Sequence, residues 1–247
     1  RASLERNIGS LTHFIPEWLH INEDGGKIID SRIPEDRDDI TPLVRSHGLP
    51  IIPLINNFID STLHEHQGHW SSQAVHNLVS VPATRAKFIQ DLKAMLLREK
   101  WQGVNIDFEQ PAPEDKDNLT QFMRELYMEF HSAGLLVCQD TAIDDPNFDR
   151  QALVKYNDFL IPMVYDEHSP GEDGGGAGSI ASMKWTEEQL HQLFEVEKIP
   201  PQKIVLGIGN YAYDWQDGDV NADPLSFQSA ILQAKESQDP KEANIAK

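Results

Sequence analysis

The chain has little of three things. Cysteine occurs once in 247 residues, at Cys138, so no internal disulfide can brace the fold and its stability rests on a packed core. That cysteine lies in the apolar run from Leu135 to Cys138 and reads as a small buried hydrophobe rather than a reactive thiol. Positive charge is also scarce: 21 Lys and Arg stand against 40 Asp and Glu, a net charge of −19. Such a surface repels phosphate backbones and anionic lipid, which argues against nucleic acid as a partner and for a neutral or cationic ligand. Long apolar runs are missing as well. None approaches the roughly 20 residues that span a bilayer, so no direct membrane insertion by this segment is expected.

What is present suits one α/β domain over residues 1–247, a length that an eight-stranded barrel uses. The hydrophobic content of 39% is enough for a real core. The first eight residues already read as a helix in mid-fold, so the chain is expected to be a segment of a larger protein, and a missing signal peptide carries little information.

Strand and helix patterns alternate along the chain. Strands are expected over 11–18, 49–57, 102–109, 135–140, 158–166 and 203–211, and helices over 41–46, 82–100, 115–133, 148–156, 186–197 and 225–237, with a turn at 22–26 and a long loop after Asn57. Several strands are apolar on both faces, as in parallel sheets covered on both sides. The alternation is that of βαβ units. Polar and aromatic residues gather at the strands' C-terminal ends: Glu17 and Trp18, Asn56 and Asn57, Asp107 and Glu109, Asp140, Tyr165 and Asp166, Asn210 and Tyr211. Parallel α/β folds build their sites at that edge.

The stretch from Trp101 to Glu109 is the most informative. Strand side chains alternate faces, so Asn105, Asp107 and Glu109 point one way and Val104, Ile106 and Phe108 the other. Its flanks suggest that neither face meets bulk solvent.

These residues resemble glycoside hydrolase family 18, the chitinase-like (β/α)8 TIM barrels. The family's fourth-strand motif D-G-x-D-x-D-x-E aligns with Gln102 to Glu109, and its sixth-strand M-x-Y-D with Met163 to Asp166. The similarity is nearest to a bacterial branch fused to polysaccharide deacetylase and glycosyltransferase domains, and to spore-wall lytic relatives with Tyr-Asp-Glu-His in strand six, here Tyr165 to His168. Two departures stand out. Gln102 and Asn105 replace the motif's first two acids, and no strand one or strand eight is found, which would leave the second and seventh strands with open edges.

The resemblance implies a retaining hydrolase of N-acetylhexosamine polymers (chitin-like, peptidoglycan or biofilm glycan) working by substrate assistance, without cofactor or metal, and placed outside the cytoplasm. Glu109 would be the general acid, Asp107 would orient the substrate's acetamido group and Tyr165 would hydrogen-bond its carbonyl. Trp18, Asn57, Asn105, Asp140, Met163, Asp166, Asn210 and Tyr211 are the candidate substrate-binding residues, with Phe58, Tyr213 and Trp215 as further aromatic surfaces for sugar rings. An amide at 105 cannot share a proton as an acid does, so Asp107 is expected to stay ionised, and a carbohydrate-binding domain without catalysis is the alternative.

Four other readings carry less weight. A solvated strand end would explain Asp107 and Glu109 alone, but not the company of Tyr165 and Asp166. The segment from His64 to His69 looks metal-like yet lacks the H-E-x-x-H order, and the glycine run 174–178 lacks the Lys-Ser/Thr of a phosphate loop and reads as a mobile loop over the cleft. A barrel enzyme acting on phosphorylated metabolites fits neither the acidic charge nor that loop.

Overall fold

The computed structural model describes residues 1–59, 68–171, 174–215 and 220–236. They fall into two compact units, 1–162 with 197–205, and 163–196 with 206–247. The strands are β1 (Glu17–Ile21), β2 (Ile28–Asp30), β3 (Leu54–Asn56), β4 (Phe58–Ile59), β5 (His69–Trp70), β6 (Gly103–Asp107), β7 (Leu136–Ala142), β8 (Phe159–Met163), β9 (Tyr211–Trp215) and β10 (Ala222–Ser226). A six-stranded sheet in the order β2-β1-β3-β6-β7-β8 organises the first unit. Within it β1, β3, β6 and β7 pair in parallel, as the alternating pattern requires.

The oily face of β6 is covered by helices. Phe108 packs on Phe122 with ring centroids 5.9 Å apart, and Phe122 on Phe88 at 6.1 Å. These rings belong to the core built from the helices Pro82–Glu99 and Lys116–His131, whose Phe88, Leu92, Leu96, Leu119, Phe122 and Phe130 are buried at the helical spacing read from the sequence. The other face of β6 is buried too: all five residues of the strand are. Gly103 is needed where β6 and β7 meet, since a Cβ there would lie 2.4 Å from the Leu136 carbonyl oxygen.

The elements depart from the expected pattern in several places. The first strand is Glu17–Ile21 rather than 11–18; proline at position 16 delays regular pairing, and upstream only Phe14 bridges Ile51. The expected open edge at that strand is closed, because β2 returns antiparallel to β1 after the turn at 22–26, with Gly25 at φ 71°. The long loop after Asn57 contains the hairpin β4-β5 and a helix, Ser72–Val79, whose N-terminal amide of Ala74 is capped by Ser71 Oγ. Of the strand expected over 203–211, two isolated bridges remain, Leu160 to Ile204 and Met163 to Gly207. Val205, Leu206 and Ile208 are exposed, and no strand among the described residues pairs along their outer side.

In the second unit Tyr211–Trp215 instead forms a hairpin with Ala222–Ser226, and the final helix starts at Phe227 rather than Leu225. The helix expected over 148–156 is a short turn, Arg150–Leu153, capped by Asp149 and followed by a 3-10 turn. That expected over 186–197 begins earlier, as Met183–His191. No helix among the described residues is long and apolar enough to cross a membrane.

Candidate active site

The first unit brings a row of polar side chains together at the C-terminal ends of its parallel strands. The register aligns His20 with Asn56, Asn56 with Asp107, and Ile106 with Gln139. One further step places Asp140 alongside Asp107 on the neighbouring strand, where paired backbones lie about 4.8 Å apart. Asn56 is fully buried and links two of these strands: its Nδ2 donates to Glu17 Oε1 at 2.8 Å, while its Oδ1 lies 2.6 Å from His20 Nδ1. Glu17 and Asn56 were visible in the sequence only as strand-end residues; the hydrogen bond between them depends on the register.

Asn105, Asp107 and Asp140 form the buried floor. Asn105 is 1% exposed and donates from Nδ2 to Asp140 Oδ2 at 2.8 Å. Two oxygens on this floor, Asn105 Oδ1 and Asp107 Oδ1, are buried without a hydrogen-bond partner. Burial pushes the Asp107 carboxyl up to about 8, with the nearby charges of Asp140, Glu109 and Glu17 adding to the effect. Burial likewise raises Asp140 to about 7, partly opposed by the hydrogen bond from Asn105 and reinforced by Glu109. Both shifts run against the expectation that Asp107 stays ionised. Burial first, then three neighbouring acids, outweigh the amide at 105 and favour the protonated carboxyl.

Glu109 lies just past the end of β6, half-buried, in a segment held by Asn57. The Asn57 side chain accepts from the Glu109 backbone N–H at 2.8 Å and donates to the Glu109 carbonyl at 2.9 Å and to the Ser71 carbonyl at 3.2 Å. This two-point clamp fixes the backbone from which the Glu109 carboxyl projects. Asn57 is fully buried, so its expected place among the substrate-binding residues is corrected to that of a positioning residue. The following Gln110 has φ 52°, and Ser72 Oγ donates to its carbonyl at 2.6 Å.

Trp18 is corrected as well. It is 4% exposed, with its ring centroid 5.8 Å from that of Trp101 and the Arg32 guanidinium 5.7 Å from its own. Buried in this cluster, the ring is not available to stack on a sugar. The thiol of Cys138, buried beside the floor, is pushed up to about 12, which suits the inert role read from its apolar run.

The second unit holds the other set of candidate residues. Asp166 adopts φ 60°, a left-handed conformation that aspartate tolerates better than most residues. Its Oδ1 accepts from the Tyr211 hydroxyl and, at 3.5 Å, from that of Tyr213. Burial and the neighbouring Asp166 charge hold the Tyr211 hydroxyl well above the usual phenol range. Tyr165, Tyr211, Tyr213 and Trp215 form an edge-to-face series with centroids 5.5–6.1 Å apart, because alternate residues of β9 share one face. Met163 is buried beside its bridge to Gly207, whereas Asn210 is exposed.

The rest of the strand-six motif is structural. Glu167 accepts from the Ser182 amide at 2.5 Å and its hydroxyl at 2.9 Å, which anchors the start of the helix Met183–His191. His168 packs against Gly178, where a Cβ would lie 2.5 Å from the ring. A bridge from Ser169 to Gly175 ties the glycine-rich loop to itself. Of the metal-like histidine segment, residues 64–67 lie outside the described residues; His69 pairs with Ile59 in the β4-β5 hairpin. Phe58 packs edge-on against Trp70 in the same hairpin.

Comparison with known proteins adds to this geometry. The chain is 30% identical over 171 residues to the uncharacterized glycosylase YvbX of Bacillus subtilis, covering 66% of this chain and 47% of that protein. It is 25% identical over 180 residues to the cortical fragment-lytic enzyme of Bacillus anthracis, covering 68% and 41%. The chain thus spans less than half the length of these curated relatives. The crystal structure of a chitinase from Chromobacterium violaceum superposes with a TM-score of 0.80 at 25% identity, over 95% of this chain and 72% of that one. The likeness to that chitinase, an α/β barrel of the TIM type, agrees with the parallel sheet described above. Residues 67–246 match the model of the family described as glycosyl hydrolases family 18, and the chain belongs to that family.

Proposed function

We propose that the protein is a retaining glycoside hydrolase of N-acetylhexosamine polymers, with Glu109 as the general acid. The observation that carries this reading is the pairing of a clamped, half-buried glutamate with a buried acid two residues earlier, whose burial and acidic neighbours favour its protonated form. Glycoside cleavage needs a proton at the leaving oxygen and stabilisation of an oxocarbenium-like centre. Glu109 donates the proton. The acetamido oxygen of the substrate attacks the anomeric carbon as the glycosidic bond breaks, giving a cyclic oxazolinium; water activated by the Glu109 carboxylate then opens it with net retention. Asp107 orients the acetamido N–H and accepts from it as positive charge develops, having passed its own proton toward the floor. Tyr165 has its role, a hydrogen bond to the acetamido oxygen, on the strength of the strand-six motif.

The names of relatives support this substrate class: a cortical fragment-lytic enzyme and chitinases both act on polymers of this kind. Placement outside the cytoplasm and fusion to deacetylase and glycosyltransferase domains belong to the same proposal and rest on the resemblance. A second reading, a carbohydrate-binding domain without catalysis, is motivated by the amide at 105. Saturable glycan binding with no product would favour it.

Substrate assistance has a direct test. Incubation of the full-length protein with an N-acetylated hexosamine polymer and with the same polymer after de-N-acetylation is expected to release reducing ends from the first only. Equal release from both would show that the acetamido group is not the nucleophile.

A further inference from the structure

We propose that Asp140 is a positioning residue that shares one proton with Asp107, with the Asn105 amide holding it in place. This deepens the reading of Asp107 given above and rests on that reading for its consequence in catalysis.

Three geometric observations carry the inference. The strand register puts Asp140 beside Asp107, with both on the face that Asn105 also occupies. Asp140 accepts at Oδ2 from the Asn105 amide, at 2.8 Å. Asn105 Oδ1 and Asp107 Oδ1 are both buried acceptors without donors. A buried carbonyl oxygen and a buried carboxylate oxygen left in this way cost free energy, and a proton placed on Asp107 Oδ1 changes one of the two from acceptor to donor. The amide cannot supply that proton. It has no acidic proton, and one of its two N–H groups already donates to Asp140, so the second carboxyl is what the floor offers.

The charges around Asp107 lead to the same result. Asp140 on β7, Glu109 beyond β6 and Glu17 on β1 all act on it, and all are acids. Two carboxyls on neighbouring strands in a water-poor site cannot both ionise without strong repulsion, so the pair keeps one proton between them. During turnover that proton moves from Asp107 toward Asp140 as Asp107 turns to the acetamido N–H, and it returns when product leaves. No co-reactant is required; one proton and one negative charge are exchanged within the pair.

Asn105 fixes the rotamer of Asp140 from across the strand gap. The hydrogen bond has an amide at one end and a carboxylate at the other, and the two ends are exchangeable in composition. Exchanging them by Asn105→Asp with Asp140→Asn leaves the same number of acids on the floor, one of them still beside Asp107.

The test uses the full-length protein labelled with carboxyl-13C aspartate, the Asp107 resonance being assigned by its loss in Asp107→Asn. In Asp140→Asn the Asp107 midpoint is expected to fall by about one pH unit or more, a tenfold change in its proton affinity. The pH profile of kcat on an N-acetylhexosamine polymer is expected to move with it, with kcat down about tenfold and KM little changed. The double variant is expected to restore both the midpoint and kcat toward the wild-type values. An unchanged Asp107 midpoint in Asp140→Asn would overturn proton sharing, as would a double variant no closer to wild type than the single one. The titration needs no turnover. A shifted midpoint in a protein that cleaves no such polymer would leave the shared proton standing and remove the hydrolase reading instead.

Discussion

Replacing Glu109 by glutamine is expected to lower turnover of an N-acetylhexosamine polymer by about 10²- to 10⁴-fold, the usual contribution of a positioned general acid. The side chain keeps its shape and loses only its exchangeable acidic proton. Its backbone is held by Asn57 through the Glu109 N–H and carbonyl, neither of which the substitution touches, so the variant should fold and melt like the wild type. The measurement is reducing-end release set beside thermal unfolding. A variant that melts normally and cleaves at the wild-type rate would remove Glu109 from the chemistry; one that melts normally and is inactive supports its assignment as the acid.

The second large effect concerns stability. The carboxyl of Asp107 is raised from its ordinary value of 3.8 to about 8. Below about pH 4 it is protonated in both folded and unfolded chains, and its contribution to stability is fully present. Between about 4 and 8 the unfolded chain has released the proton while the folded chain still holds it, so stability falls as pH rises, by about 1.4 kcal/mol per pH unit for one proton. Above about 8 the folded state carries a buried charge and the loss is complete. Asp107→Asn has no such charge, and is expected to be more stable than the wild type at pH 8 by an amount on the order of 5 kcal/mol while nearly matching it at pH 4. Denaturant unfolding at the two pH values reads this directly. Equal or lower stability of the variant at pH 8 would show that the floor does not strain against an ionised Asp107.

The acidic strand was legible because its signal is local. Period-two alternation separates Asn105 and Asp107 from Val104, Ile106 and Phe108, and the structure buries both sets. The helices Pro82–Glu99 and Lys116–His131 were equally clear, since long amphipathic periods resist misreading. What escaped depended on pairing between distant segments. The β2 return that closes the edge of β1 has only three residues, and no pattern in so short a stretch announces a strand. The Trp18 ring reads as a site residue because it stands at the end of an expected strand, but its partners Trp101 and Arg32 come from elsewhere in the chain. The protonation of Asp107 was misjudged for the same reason: the sequence shows an amide at 105, while the carboxyl that compensates for it sits on the next strand at Asp140.

The chemistry assigned to Glu109 and Asp107 is tested most directly by the anomeric configuration of the first product released from an N-acetylhexosamine polymer, followed by 1H NMR before mutarotation. Attack by the substrate's own acetamido oxygen, then by water from the same face, predicts a product that keeps the configuration of the bond cleaved. A product of inverted configuration would contradict the account, because water would then have displaced the leaving group in a single step and Asp107 would have had no acetamido group to orient.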